Sequence, residues 1–353
     1  MLSTKREHIK RAISHLTGEN PDQLRMFLSG EGGTGKSKVL KLIIEFTRLH
    51  FGRTEGHHGA VIPMGPTGPS AHSIHGFTYH TIAALGSGSS AGPNIGQKTA
   101  EQKGQGMRGV QLFIIDEISL VSKQDLAILE QRIKACILTT IEDPIERDQR
   151  KNQPFAGIHF IFAGDFYQLP PVFNKIPIYS PHFSEHAKDA RTKKLQQDGS
   201  ALWNSLNAYC ELNVNFRTKS DDIETKQLAE ALSRLRLGQV LDDDLDLLNT
   251  RILFSHREAL SKVSEDALFL CPTKEMVKAR NKDALQHFIT SGAEHFRCVA
   301  VHKQNETLKR PPTSTINKAL LKHYEDKLSL PFIDLAVGSR VRYTVNLATN
   351  IGE

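Results

Sequence analysis

The sequence predicts an α/β fold built on parallel sheet, and three observations predict it. Short runs at 26–28, 60–64, 112–115 and 158–162 are apolar along almost their whole length, as strands covered on both faces must be. Between them lie stretches whose apolar residues recur at helical spacing, such as Val39, Leu40, Ile43, Ile44 and Phe46. Three of the runs end in polar clusters, and alternating strands and helices bring such clusters to the carboxyl edge of one sheet.

The 353 residues are enough for two domains, each with its own core. Hydrophobic residues at 39% and charged residues at 24% are ordinary for a globular protein. Lys plus Arg number 45 against 39 Asp plus Glu; the net charge of +6 permits a nucleic-acid partner without demanding one. Cys136, Cys210, Cys271 and Cys298 stand far apart with no Cys-x-x-Cys pair, which favours free thiols over disulfides or zinc. The histidine pairs His72/His75 and His182/His186 lack Cys or acidic partners at ligand spacing. No apolar run approaches the ~18 residues of a membrane span, and Met1-Leu2-Ser3-Thr4-Lys5-Arg6 lacks a signal-peptide core. The expectation is a soluble, intracellular chain with no membrane partner.

In order along the chain, residues 7–18 read as a helix with Ile9, Ala12, Ile13 and Leu16 on one face. The run 26–28 leads into Gly30-Glu31-Gly32-Gly33-Thr34-Gly35-Lys36-Ser37, the pattern Gly-x4-Gly-Lys-Ser between a strand and a helix. Residues without Cβ let the backbone curl around a phosphate with its N–H groups inward, and the helix presents its positive dipole end to the same anion. Gly30, Gly32, Gly33, Thr34 and Gly35 therefore read as a triphosphate cradle. Lys36 reaches the β/γ-phosphates, and the Ser37 hydroxyl ligates Mg²⁺. Strand 60–64 opens onto Gly65-Pro66-Thr67-Gly68-Pro69-Ser70-Ala71, and 86–106, rich in Gly, Ser and Gln, reads as a flexible insertion.

Strand 112–115 ends in Asp116-Glu117, a Walker B pair: Asp116 to hold Mg²⁺, Glu117 to polarise water as general base. A helix follows through Leu126, Ile128, Leu129 and Ile133. Strand 158–162 opens onto Gly164-Asp165-Phe166-Tyr167-Gln168-Leu169-Pro170-Pro171, where the Gln168 amide can hydrogen-bond the γ-phosphate or its attacking water, and the prolines stiffen the exit. The mixed-charge stretch 177–200 reads as a surface loop, with Lys188, Arg191, Lys193 and Lys194 solvated. Tyr209-Cys210-Glu211-Leu212 leads to Asn215-Phe216-Arg217, and the Arg217 guanidinium suits transition-state phosphate charge. Beyond it the pattern restarts with a helix at 222–237, an acid-rich helix start at Asp242-Asp243-Asp244, a strand at 267–270, a helix through His287 and a strand at 341–345.

Together, the loop 30–37, Asp116-Glu117-Ile118-Ser119 and the block 164–171 resemble the petite-integration-frequency (Pif) family of DNA helicases, superfamily I relatives of the RecD helicase. The resemblance implies a P-loop NTPase with two RecA-like parallel-sheet domains that close on ATP and Mg²⁺. It implies 5′→3′ movement on single-stranded DNA and action at duplex junctions, as a monomer in nucleus or mitochondrion. Roles in repair, recombination or telomere maintenance come with it. The motif 65–71 matches the family's strand-binding element, giving Thr67 and Gly68 as DNA contacts; Phe77-Thr78-Tyr79-His80 continues it and adds His80. Phe77 suits a base-stacking and a core role equally. The block 270–281 adds Thr273, followed here by Lys274 where the family carries Asn. The family's wedge subdomain falls on the insertion at 86–108, its arginine motif on 213–218, and a late strand on 335–347.

The stretch Leu2-Ser3-Thr4-Lys5-Arg6 carries arginine where the family places a glutamine that reads adenine. The family would continue past Glu353. The expectation is accordingly a first domain at 1–216, a partial second at 217–353, and a chain that binds nucleotide but hydrolyses and unwinds weakly. The alternative is a nucleotide- and DNA-binding remnant with little turnover. A GTPase is disfavoured, because Asp116-Glu117-Ile118-Ser119 lacks the glycine its switch needs.

Overall fold

The computed structural model describes residues 2–85, 92–172, 175–183, 190–217, 222–250, 252, 263, 267–299, 302–304, 307–309 and 332–341. They fall into two units, Met1–Thr250 and Arg251–Asn346. The first contains α1 (Leu2–Leu16), β1 (Arg25–Gly30), α2 (Lys36–Phe51), β2 (Val61–Gly65), α3 (Gly68–Ser73), β3 (Phe77–Thr78), α4 (Tyr79–Ile82) and α5 (Gln97–Gly106). It continues with β4 (Leu112–Ile115), α6 (Lys123–Leu138), α7 (Pro144–Lys151), β5 (His159–Gly164), α8 (Ala190–Asn204), β6 (Ala208–Leu212), α9 (Ile223–Leu237) and α10 (Asp242–Asn249).

The six strands form one sheet in the order β3-β2-β4-β5-β1-β6, every neighbouring pair parallel. Side chains alternate across it with the strand period of two. Phe27, Phe113, Ile115, Phe160 and Phe162 join Leu126, Leu129 and Ile133 of α6 in one core. Met26, Leu28, Leu112, Ile114 and Ile161 join Val39, Leu40 and Ile43 of α2 and Ala12 and Leu16 of α1 in the other. Two covered faces are why the strands carry unbroken apolar runs. Register levels their ends: Ser29 lies opposite Gly164, Gly30 opposite Leu212, Ile115 opposite Phe162 and Met64 opposite Ile115.

Three expectations are corrected. The stretch 177–200 is not loop throughout, because Ala190–Asn204 forms α8. Its buried stripe of Leu195, Gly199 and Leu202 sits at i, i+4 and i+7 among polar residues, and a Cβ on Gly199 would strike the Lys123 carbonyl of α6. Close backbone approach, rather than hydrophobic mass, docks this helix. In the insertion, Gln97–Gly106 is helix α5, docked through small residues: Ala100 is buried, and a Cβ on Gly104 would meet Cys136 of α6 and Thr139 just past its end. Arg132 also ties this region down, donating to the carbonyls of Ala83 (3.1 Å), Ala84 (2.6 Å) and Gly92 (2.8 Å). The apolar run at 267–270 forms no strand among the described residues; Leu268 and Leu270 are exposed, and a strand needs a neighbouring backbone to complete its ladder.

The first unit extends past residue 216 to take in α9 and α10, joined by Arg234, which donates to both carboxylate oxygens of Asp244 at 2.8 and 2.6 Å. In the second unit, α11 (Lys274–Thr290) is accompanied by β7 (His295–Val299), β8 (His302–Gln304), β9 (Thr307–Lys309) and β10 (Phe332–Ala336). There β7 pairs antiparallel with β10, and β8 with β9. The expectations placed on the side chains of residues 2–6, on 86–91, Lys188 and Thr218, and on the strand beyond Val341 lie outside the described residues.

One half-buried histidine, His159 at the start of β5, ties the fold to pH. His159 Nδ1 accepts the Leu24 backbone N–H at 2.9 Å, and burial, then the charge of His15, lower its pKa from the ordinary 6.5 to about 4. A lowered imidazole pKa means the unfolded chain binds the proton first, so this contribution is complete above about pH 6.5 and lost as pH falls towards 4. Urea midpoints are expected to drop across that window, and His159→Gln to reduce the drop. An identical pH profile in the variant would remove His159 from the account.

Candidate active site

The loop after β1 is shaped by glycines at positive φ. Gly33 and Gly35 both have φ of 91°, a region costly for residues with Cβ, and a Cβ on Gly33 would lie 2.5 Å from Asn215 Oδ1. No side chain caps α2, which leaves the N–H groups of its first turn facing the loop. Thr34 Oγ1 donates to the Glu31 carbonyl at 2.8 Å, closing the turn. The Lys36 ammonium folds back over the loop to the carbonyls of Gly30 (2.6 Å) and Glu31 (3.1 Å). Burial lowers its pKa, opposed by the charges of Asp165, Glu117 and Asp116.

At the end of β4, Asp116 is 2% exposed. Burial first, and the neighbouring Glu117 charge second, push its carboxyl up to about 6. Its Oδ2 accepts from Ser37 Oγ at 3.4 Å, setting a hydroxyl and a carboxylate side by side at the foot of the phosphate loop. This all-oxygen pair fits a hard divalent cation such as Mg²⁺, which keeps its other positions for water and phosphate. Glu117 has left-handed backbone, φ 55° and ψ 45°, at a cost of about 1 kcal/mol for a residue with Cβ. Strain of this kind concentrates at functional positions.

The loops after β5 and β6 close on the same spot. Gln168 Nε2 donates to Asp165 Oδ2 at 3.2 Å. A Cβ on Gly32 would lie 3.6 Å from Gln168 Nε2 and 3.7 Å from an Arg217 guanidinium nitrogen. After β6, Asn215 Nδ2 donates to the Gly32 carbonyl (3.0 Å), the Phe216 N–H to the Gly33 carbonyl (2.9 Å), and the Arg217 N–H to Asn215 Oδ1 (3.0 Å). Lys36, Asp116, Glu117, Gln168 and Arg217 are thus gathered around the loop 30–37.

Two further residues belong here that sequence reasoning missed. Asn215 cross-links two loops, and its short amide beside an arginine was the only local signal. Arg236 of α9 pairs with Asp165, and nothing in its neighbourhood in the chain announces that.

The residues assigned to DNA divide between the units. Thr67 caps α3, its N–H donating to Ser70 Oγ (3.0 Å) and its Oγ1 accepting from the Ser70 N–H (3.3 Å), so both are engaged in their own turn. Gly68 is the first residue of α3. His80 on α4 is exposed and stacks on Tyr79, ring centres 4.0 Å apart. Thr67 follows β2 and His80 follows β3, on the same edge as the phosphate loop. Phe77 is half-buried against the core, with the His58 ring edge-on at 5.1 Å. Thr273 lies in the second unit, capping α11 by accepting the Met276 N–H at 3.3 Å.

Comparison with known proteins adds three findings. A family model described as PIF1-like helicase matches residues 1–245. An ATP-dependent DNA helicase PIF1 of Candida albicans is 29% identical over 245 residues, which are 69% of this chain and 23% of that protein. Among solved structures, the Pif1 helicase of Candida albicans and a Bacteroides Pif1 bound to single-stranded DNA each superpose with a TM-score of 0.59. Their identities are 22% and 21%; each match covers 95% of this chain, and 63% and 65% of those chains. The fold is that of the RecA-like P-loop NTPases. The chain spans 23% and 22% of the first two curated relatives it matches.

Gly33→Ala puts a methyl group against Asn215 and Arg217 in a left-handed conformation. It is expected to weaken nucleotide binding by about tenfold or more while moving the melting temperature by only a few degrees. Titration with a fluorescent ADP analogue measures this, and unaltered affinity would show that the loop is not the binding surface.

Proposed function

The chain belongs to the PIF1-like helicase family, and from that premise we propose that it binds Mg²⁺-ATP on the loop 30–37 and couples hydrolysis to 5′→3′ travel along single-stranded DNA. The observation that carries this reading is the meeting of four loops, after β1, β4, β5 and β6, around the buried Lys36 ammonium.

In this reading the N–H groups at the start of α2 receive the phosphates, and Lys36 transfers its hydrogen bonds from the Gly30 and Glu31 carbonyls to phosphate oxygens. Ser37 and Asp116 hold Mg²⁺, which supplies charge neutralisation across the β- and γ-phosphates. Glu117 accepts the proton of the attacking water. Gln168 orients that water or reads the γ-phosphate, and Arg217 faces the charge that develops in the transition state. Single-stranded DNA runs over the β2–β3 end of the edge, past Thr67, Gly68 and the exposed His80; Thr273 is proposed by itself as a strand contact of the second unit. The relative solved with single-stranded DNA supports that class of partner. The substrates are single strands and duplex junctions, in the nucleus or mitochondrion, within repair, recombination or telomere maintenance.

Two measurements test it. Lys36→Ala is expected to lower DNA-stimulated ATP hydrolysis at least about a hundredfold while single-strand affinity stays within about threefold, because the ammonium serves phosphate charge alone. Undiminished hydrolysis would displace the site, and tight nucleotide binding without turnover in the unaltered chain would reduce it to a binding module. Single-strand affinity is expected to fall with salt at a log–log slope near −0.7 for each phosphate contact. An affinity indifferent to salt would contradict contact through the DNA backbone.

A further inference from the structure

Arg236 lies near the end of α9, outside every motif above, yet its guanidinium reaches two loops of the site. It donates to both carboxylate oxygens of Asp165, each at 2.6 Å. Its Nε stands 3.3 Å from Glu31 Oε1 in the phosphate loop, and its guanidinium carbon 4.3 Å from the centre of the exposed Tyr167 ring. Asp165 is 2% exposed, and it also accepts from Gln168 Nε2 and the Tyr167 N–H. Burial opposes the Asp165 charge, but the bonds from Arg236 and Tyr167 outweigh it and hold the carboxyl below the usual range.

What Asp165 would do without its arginine follows from its surroundings. Arg236 is the cation that meets both oxygens of this buried carboxylate, and a buried carboxylate that loses its cation is left as an uncompensated charge. Resting on the nucleotide site read above, we propose that Arg236 is a positioning residue. It bridges Glu31 of the phosphate loop to Asp165, fixes the turn that carries Gln168 against that loop, and neutralises the buried Asp165 carboxylate in that turn. The role needs no contact between Arg236 and nucleotide. It does need a planar fork, since a lysine ammonium cannot hold both oxygens of Asp165 and reach Glu31.

Where Arg236 sits is itself well determined. Gly238, with φ of 70°, terminates α9, and Arg234, two residues earlier and about 200° round the helix, is held by Asp244 of α10. Two arginines on one helix end are thereby directed to two different aspartates.

The test is displacement of a fluorescent ADP analogue by Mg²⁺-ATPγS from the full chain, with thermal melts alongside. Arg236→Met is expected to weaken nucleotide binding about tenfold or more, and Arg236→Lys about threefold. The double variant Arg236→Met with Asp165→Asn is expected to bind at least about threefold more tightly than Arg236→Met alone, because an amide leaves no unpaired charge in the buried turn while the bridge to Glu31 stays broken. The melts fix a titration temperature at which every variant is folded, so the recovery reads the loop and not the folded fraction. Wild-type affinity in Arg236→Met, or a double variant no better than it, overturns the role. Where Arg236→Met does not fold, Arg236→Lys binding as tightly as the unaltered chain overturns it, and Arg236→Lys binding about threefold or more weakly supports it. An unaltered chain that binds no nucleotide overturns the functional reading itself, which a binding chain beside an indifferent Arg236→Met does not.

Discussion

The level register of β1 with β5 on one side and β6 on the other is the constraint from which the site follows. Ser29 faces Gly164 and Gly30 faces Leu212, so three chains leave the sheet at one height and must share the space above it. The Asp116 N–H donates to the Met64 carbonyl at 2.9 Å, which brings β4 to its end at the same edge. Hydrogen bonds then fasten the loops to each other, Asn215 and Phe216 to the phosphate loop and Arg236 to both Glu31 and Asp165. A slip of one residue in any of these strands would turn its side chains to the opposite core and move its loop off the site.

Two buried aspartates stand on this edge, and the chain treats them differently. Asp165 has a guanidinium bonded to both oxygens, and its carboxyl is held down. Asp116 accepts only the Ser37 hydroxyl and the Glu117 N–H, feels Lys36 from a distance, and is pushed up by burial and by Glu117. A carboxylate satisfied by an arginine is a structural anchor; one with free lone pairs beside a hydroxyl is a place for a cation. This contrast is the reason for proposing Asp116, rather than Asp165, as the residue that would hold a metal.

The edge that carries the candidate site was legible in the sequence because the chemistry proposed for it needs contiguous residues. Glycines before Lys36, acids directly after an apolar strand and a glutamine ahead of two prolines can be read in place. The helices at 97–106 and 190–204 were not legible, because Gly104 and Gly199 dock them by close backbone approach, and the few apolar residues, Ala100 in one and Leu195 and Leu202 in the other, stand among polar ones. Arg236 was invisible for another reason. Its partner Asp165 is 71 residues away, and only the folding of α9 against the sheet edge makes the pair. The run 267–270 misled in the opposite sense, being apolar with no neighbouring strand among the described residues.

The most direct measurement is a crystal structure of this chain with Mn²⁺ and a non-hydrolysable ATP analogue, the metal located by its anomalous signal. The account places Mn²⁺ about 2.1 Å from Ser37 Oγ, and the γ-phosphate within about 3 Å of both Lys36 Nζ and Gln168 Nε2. A nucleotide seated elsewhere, or a γ-phosphate more than about 6 Å from both side chains, beyond hydrogen-bond reach, would contradict it.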